Sequence, residues 1–299
     1  MAWIQTTKQI LCIVLFSLLP SVHGSSEKRV QMYIRDDVYV DYQKFLAGRS
    51  ALDITDFSGG YIRRDVVDMI IVQQALLLGG FKKKFHYQTG NVNFRNTSLL
   101  RQGKLLLSFD SYWLADAEAE QSHVFISDAV IEYGQYYGGI YYAPDNMRVQ
   151  KVKQLDDLAE LTAVSTPRWR TDWQTLSLLP LKRLEVEHSW VAQAHMVSMQ
   201  WVDFMLMPLM PSKGNEYKLA DIHLIAHKNL VVLLLGSRHF VVSRRHVDGE
   251  RAFKALQIGL NILREKGAIR KAYTEAGFIP DLSQFKVLNA TDMKLIESR

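Results

Sequence analysis

Thr166-Pro167-Arg168-Trp169-Arg170 is the stretch of the chain best equipped to hold an anion. Threonine can cap a helix, proline fits a first helical turn, and a helix begun there aims unpaired backbone N–H groups outwards. Arg168 and Arg170 would add guanidinium groups suited to a carboxylate or phosphate. The same residues serve equally well as a capped helix whose arginines lie along the surface. Ser108-Phe109-Asp110-Ser111-Tyr112-Trp113 is the second candidate, a mixture of hydrogen-bonding groups and flat apolar faces that suits the wall of a cleft. There Trp113 either stacks on a ligand or packs in the core.

Other chemistry has little support. None of the nine histidines stands in a His-Glu-x-x-His or His-x-x-Glu-His spacing, and His223 and His227 fall in a stretch that reads as strand. No metal site is expected from such spacings. No Gly-x-Ser-x-Gly elbow or glycine-rich phosphate loop occurs; no cofactor and no nucleic-acid partner is expected. Lys82-Lys83-Lys84 reads as a solvated cap beyond Gly79-Gly80, with contact to a partner or membrane as the alternative.

The elements that must position these residues alternate between strand and helix, which argues for an α/β fold. Strands are expected at 30–34, 85–88 and 105–109, with helices at 65–78 and 96–101 between them. The helix 65–78 is apolar on nearly every face and therefore buried on more than one side. From 122 to 143 the aromatic and β-branched residues suggest one long strand leaving a first lobe and entering a second. The plan then repeats: a short helix opening within 152–158, strands at 161–164, 183–186 and 202–207, and helices at 167–178 and 191–199. Residues 230–235 and 240–243 carry the chain back, and two helices stopped by Gly267 and Gly277 finish it.

The N-terminus sets the expected compartment. Lys8 precedes the apolar run Ile10–Leu19, Pro20 breaks it, and Val22-His23-Gly24 suits a leader-processing site. The run is too short to span a bilayer, which takes roughly 20 residues, so cleavage after Gly24 and export to the periplasm are expected. Cys12 is the only cysteine and would leave with the leader, so no disulfide or thiolate chemistry remains. The full chain has 36 basic and 31 acidic residues, and removing Lys8 leaves a formal +4 (35 minus 31). That surplus favours anionic ligands or surfaces only weakly.

Several motifs in this order resemble the periplasmic solute-binding proteins of the second structural type, in particular the amino-acid binders of extracellular solute-binding family 3. They are Leu100-Arg101-Gln102-Gly103-Lys104 before Ser108-Phe109-Asp110, Phe125-Ile126-Ser127-Asp128-Ala129 entering the crossing, Gln154-Leu155-Asp156-Asp157-Leu158, Trp201-Val202-Asp203-Phe204, and Phe240-Val241-Val242-Ser243-Arg244 returning. The resemblance implies a two-lobed α/β fold, each lobe a mainly parallel sheet flanked by helices, with a hinge of crossing strands. Lobe one would comprise 25–132 and 238–299, and lobe two 133–237. It further implies ligand contacts from Arg35, Asp36 and Tyr39 in a loop after the first strand and from Asp110 and Trp113 after the third. Ser127 and Asp128 at the crossing, Thr166, Arg168, Trp169 and Arg170 at the lobe-two helix, and Asp203 facing a ligand amine complete the set.

One departure bears on specificity. Amino-acid binders of this type carry an arginine for the α-carboxylate just before the crossing, whereas Leu114–His123 holds Asp116, Glu118 and Glu120 and no Arg or Lys. Either Arg35, or Arg168 with Arg170, takes over the anion, or the ligand is not an α-amino acid. The expected activity is non-catalytic capture of a small polar, anionic solute by a monomer serving an ABC-type membrane transporter. The alternatives are a sensory protein reporting to a membrane receptor and a secreted dehydratase, for which Asp110, Asp128 and Asp203 would be the acids to examine.

Overall fold

The computed structural model describes residues 29–90 and 95–290. The expected leader, 1–24, lies outside them. The chain opens with β1 (Arg29–Ile34), α1 (Asp36–Leu46), α2 (Arg64–Leu78) and β2 (Lys84–Thr89). Val30, Met32 and Ile34 alternate inwards along β1, and β1 pairs in parallel with β2, Arg29 opposite Lys84 and Ile34 opposite Thr89. The two strands therefore point their C-terminal ends the same way, with Arg35 just beyond β1. α1 occupies the place expected to be a loop, because Val38, Tyr42 and Phe45 recur at helical spacing and are buried. α2 is buried nearly all round, as its apolar sequence requires.

The next elements are α3 (Arg95–Arg101), β3 (Tyr112–Trp113), α4 (Leu114–Glu118), β4 (Val124–Ile131) and β5 (Tyr137–Tyr142). The strand expected at 105–109 is reduced to a single bridge between Leu107 and Val242. Leu105, Leu106 and Leu107 are all buried, so this stretch threads through the core instead of offering two alternating faces to a sheet. The long strand expected across 122–143 is two strands, broken where Gly134 takes a left-handed φ of 84° and Gln135 closes a turn onto Glu132.

The chain continues through α5 (Met147–Gln150), β6 (Thr162–Ser165), α6 (Arg170–Leu178), β7 (Arg183–Val186), α7 (Trp190–Ser198), β8 (Met205–Pro208), β9 (Glu216–Leu219) and β10 (Ile222–Leu233). β6 and β7 pair in parallel, the counterpart of β1 and β2. β5, β8, β9 and β10 form an antiparallel sheet around the crossing strands. β11 (Arg238–Ser243) returns between β3 and β4. α8 (Gly249–Glu265) and α9 (Ala268–Glu275) follow and stop at Gly267 and Gly277, with φ of 67° and 70°.

α8 crosses α2 at backbone contact. A Cβ at Gly259 would stand 1.8 Å from the Ala75 carbonyl oxygen, and one at Gly79 would stand 1.8 Å from that of Ala255. The C-terminal stretch reaches the sheet of β5, β8 and β10. β12 (Lys286–Val287) pairs in parallel with β10, and the Asn289 amide closes both backbone groups of Leu233 at 2.9 Å.

Candidate functional site

The site is built on a buried carboxylate. Asp68 of α2 is fully buried and accepts hydrogen bonds from Arg64 (2.6 Å), the Ser111 backbone N–H (2.9 Å), the Ser111 hydroxyl (2.8 Å) and the Tyr273 hydroxyl (2.5 Å). One side chain thereby ties α2, the segment entering β3, and α9. Arg64 also pairs with Asp65 and lies 3.9 Å from Asp110. From β11, Arg238 donates to the Ser111 hydroxyl at 2.9 Å and to the Ser111 carbonyl. Its guanidinium stands 4.8 Å from the Trp113 ring centroid, near enough for cation–π attraction. A charged residue in a buried strand and an Arg-Asp pair opening an apolar helix are the signals that identify this knot, since buried charges are rare unless paired. Arg64, Asp65, Asp68 and Arg238 are not among the candidates drawn from the sequence.

Four of those candidates meet around the knot. Arg35, just beyond β1, forks onto Asp37 at 3.0 and 2.8 Å. Burial opposes its charge, while the Asp37 bond and the charges of Asp65, Asp37 and Asp110 hold it ionised. Asp110 and Trp113 face Arg64 and Arg238, and Asp172 in the first turn of α6 lies beside Trp113 and Asp116. Arg170, at the start of α6, donates to the Ala115 carbonyl at 3.1 Å and lies 3.6 Å from Asp116 of α4. Arg170, one of the arginines offered to an anion by the sequence, is therefore turned onto the Asp116 carboxylate of α4. A further bridge, Lys213 to Asp41 at 2.9 Å, joins α1 to the turn after β8.

The others are used differently. Asp36 is exposed at the start of α1, and Tyr39 packs against Tyr87 at 5.6 Å. Thr166 does not cap a helix. α6 starts at Arg170 with Trp169 at the cap position and no capping side chain, because a turn closed by Trp169 N–H onto the Thr166 carbonyl intervenes. The buried Thr166 hydroxyl instead shares a 2.8 Å hydrogen bond with His188 Nδ1, and Pro167 and Arg168 are exposed ahead of the helix. Ser127 is buried in the irregular β4–β11 ladder, its hydroxyl accepting from Phe240 N–H at 2.9 Å. Asp128 points to α8, 3.8 Å from Arg264. Asp203 is buried and saturated by Thr162 N–H (2.8 Å), the Thr162 hydroxyl (2.9 Å), Asn146 (3.2 Å) and Arg148 (3.2 Å), leaving it no capacity for a ligand amine.

The carboxyls of the cluster are shifted in opposite directions. Burial raises Asp110, reinforced by Asp65 and Asp68 and opposed by Arg64 and Arg238. Burial likewise raises Asp116 against Arg170 and Arg238. Asp172 is pushed up to about 6 by burial and Asp116, against Arg238. Asp65 behaves oppositely: burial is outweighed by Arg64, Arg63, Arg35 and Arg238, which hold it well below the usual carboxylate range. Among the described residues no group of three or more His, Cys, Asp or Glu is placed to hold a metal ion, and no helix is long and apolar enough to cross a membrane.

Solved structures with this arrangement of elements exist at low sequence identity. An amino acid ABC transporter substrate-binding protein from Streptococcus pneumoniae, bound to L-arginine, superposes with a TM-score of 0.53 at 12% identity, covering 83% of this chain and 93% of that one. An ancestral amino acid-binding protein, described as a precursor of cyclohexadienyl dehydratase, gives 0.51 at 16%, covering 84% and 96%. A periplasmic domain of BvgS from Bordetella pertussis gives 0.52 at 11%, covering 85% and 94%. No protein-family model matches the sequence, and no curated protein matches it significantly. The likeness shows the fold: a two-lobed α/β architecture of the periplasmic binding protein type.

Proposed function

We propose that this protein is a periplasmic solute-binding protein that takes a small polar ligand between its lobes and presents it to an ABC-type membrane transporter. In this reading residues 1–24 are a removed leader, lobe two spans 133–237, and the chain crosses the hinge at 132–136 and 233–238. The observation that carries it is the convergence of acids from both halves on one ionic cluster: Asp110 and Asp116 from one side and Asp172 from the other, joined by the Trp113–Asp172 and Arg170–Asp116 contacts. Closing two lobes on such a cluster links ligand affinity to the hinge equilibrium.

The ligand in this proposal carries an amino or guanidino group, in place of the anion expected from the sequence. Arg170 already faces Asp116, and three carboxyls with raised pKa values would each gain from an added cation. That one fold neighbour was solved with L-arginine bound agrees with this choice. Thermal-shift measurements on a chain starting at Ser25, against amines, amino acids and small acids, test it. A ligand at 100 times its Kd adds about 2.7 kcal/mol. Stabilisation by anions alone would overturn the ligand class, and silence across the panel would overturn solute capture. The same raised carboxyls, Asp110 and Asp172, would serve an acid catalyst; turnover lost in Asp110→Asn would replace capture with a dehydratase-like activity.

A further inference from the structure

The parallel strands β1 and β2 aim their C-terminal ends at the ionic cluster, so Arg29 and Lys84 at their N-terminal ends lie at the opposite pole of that half. Three turns meet there. Lys83 pairs with Asp248 at 2.5 Å, joining the turn after α2 to the start of α8, and a Cβ at Gly103 would touch the Arg245 backbone at 2.9 Å. Asp248 serves Arg251 as well as Lys83, and Glu120 pairs with Arg101. Lys82, Lys84, Lys104 and Arg245 are exposed and pair with no carboxylate among the described residues. Arg244, exposed in the same turn, likewise meets no carboxylate among the described residues and donates to the Gln121 and Val124 carbonyls. Cations therefore outnumber the carboxylates paired with them at this end. At the tip of the same end Val247 is 95% exposed, directly after Arg244, Arg245 and His246.

We propose that this basic pole docks the protein on a bilayer bearing anionic headgroups, with Lys82, Lys84, Lys104 and Arg245 at the headgroup level and Val247 entering the interface. A protein partner of this size would call for a broad apolar patch, whereas one apolar tip ringed by cations matches shallow, electrostatically driven attachment. Docking by this pole leaves the ionic cluster facing away from the membrane, and it is independent of what the cluster binds.

Co-sedimentation with vesicles tests the proposal, using a chain starting at Ser25 so that the apolar N-terminal run cannot contribute; every described element begins at Arg29 or later. Binding is expected to vesicles containing phosphatidylglycerol, to be absent from pure phosphatidylcholine, and to fall with salt. Each basic residue near an anionic surface contributes a factor of about 5, so Lys82→Glu/Lys84→Glu/Arg245→Glu should weaken binding by more than about 100-fold. Val247→Asp should weaken it as well. Reversing Lys151, Lys153 and Lys182, exposed on the other half, should cost far less. Failure to bind anionic vesicles at low salt, or equal loss from the two triple reversals, overturns the assignment. So does capture by an acidic polypeptide that matches vesicle binding and is insensitive to Val247→Asp.

Discussion

Replacing Asp172 by asparagine probes the contact between the halves and its charge balance together. The folded Asp172 carboxyl is pushed up to about 6, against about 3.9 for an unfolded aspartate. A carboxyl whose pKa rises on folding binds its proton more tightly in the native state. Measured against its ionised form it favours folding at low pH, and that contribution is lost as pH climbs from about 4 through about 6. A difference of about 2 in pKa corresponds to about 3 kcal/mol, and because the side chain is partly exposed, screening reduces this to about 1–2 kcal/mol. Asparagine keeps an oxygen beside Trp113 and cannot ionise. Asp172→Asn should therefore stabilise the protein by about 1–2 kcal/mol at pH 7.5 and by little at pH 4. Urea unfolding followed by tryptophan fluorescence at both pH values measures this. Parallel pH curves for the two proteins, or a variant less stable at pH 7.5, would refute the reasoning.

Three further outcomes follow from the geometry. Asp68→Ala leaves Arg64 with one buried partner fewer and three other donors unmatched, so a loss of about 3–5 kcal/mol is expected from denaturant midpoints, with Asp68→Asn losing less; a cost below about 1 kcal/mol would show that the knot is not structural. Gly259→Ala forces a methyl against the Ala75 carbonyl at 1.8 Å and should cost about 1–3 kcal/mol by calorimetry, and a neutral result would mean that α2 and α8 are not in backbone contact. A double-mutant cycle on Arg170 and Asp116, whose side chains are 49% and 31% exposed, should give only about 0–1 kcal/mol of coupling in stability, while the same substitutions alter ligand-induced closure; coupling above about 2 kcal/mol would contradict this half-exposed geometry.

Where local pattern and tertiary role agree, the elements were legible. The strand at Arg183–Val186 and the helices ending at Gly267 and Gly277 stand where period and glycine place them. α1 was hidden by the charges at its start, although Val38, Tyr42 and Phe45 carry the helical period. The motif beginning Thr166 misleads for a related reason. A threonine, a proline and arginines compose a helix start, yet a buried His188 bond holds the threonine back in the loop. Asp203 and Ser127 look like ligand contacts from their place in the order of motifs, and only their hydrogen-bond partners show that the fold consumes them.

The chain by itself determined the alternation of strands and helices, the buried character of α2 and the glycine stops, because these depend on residues a few positions apart and on intrinsic backbone preferences. Only the tertiary structure decided the ionisation of the site. Whether an aspartate is spent, like Asp203, strained, like Asp172, or pinned, like Asp68, depends on burial and on donors more than 40 positions away in sequence. Coulombic and desolvation energies follow distance in space, which the order of residues does not record.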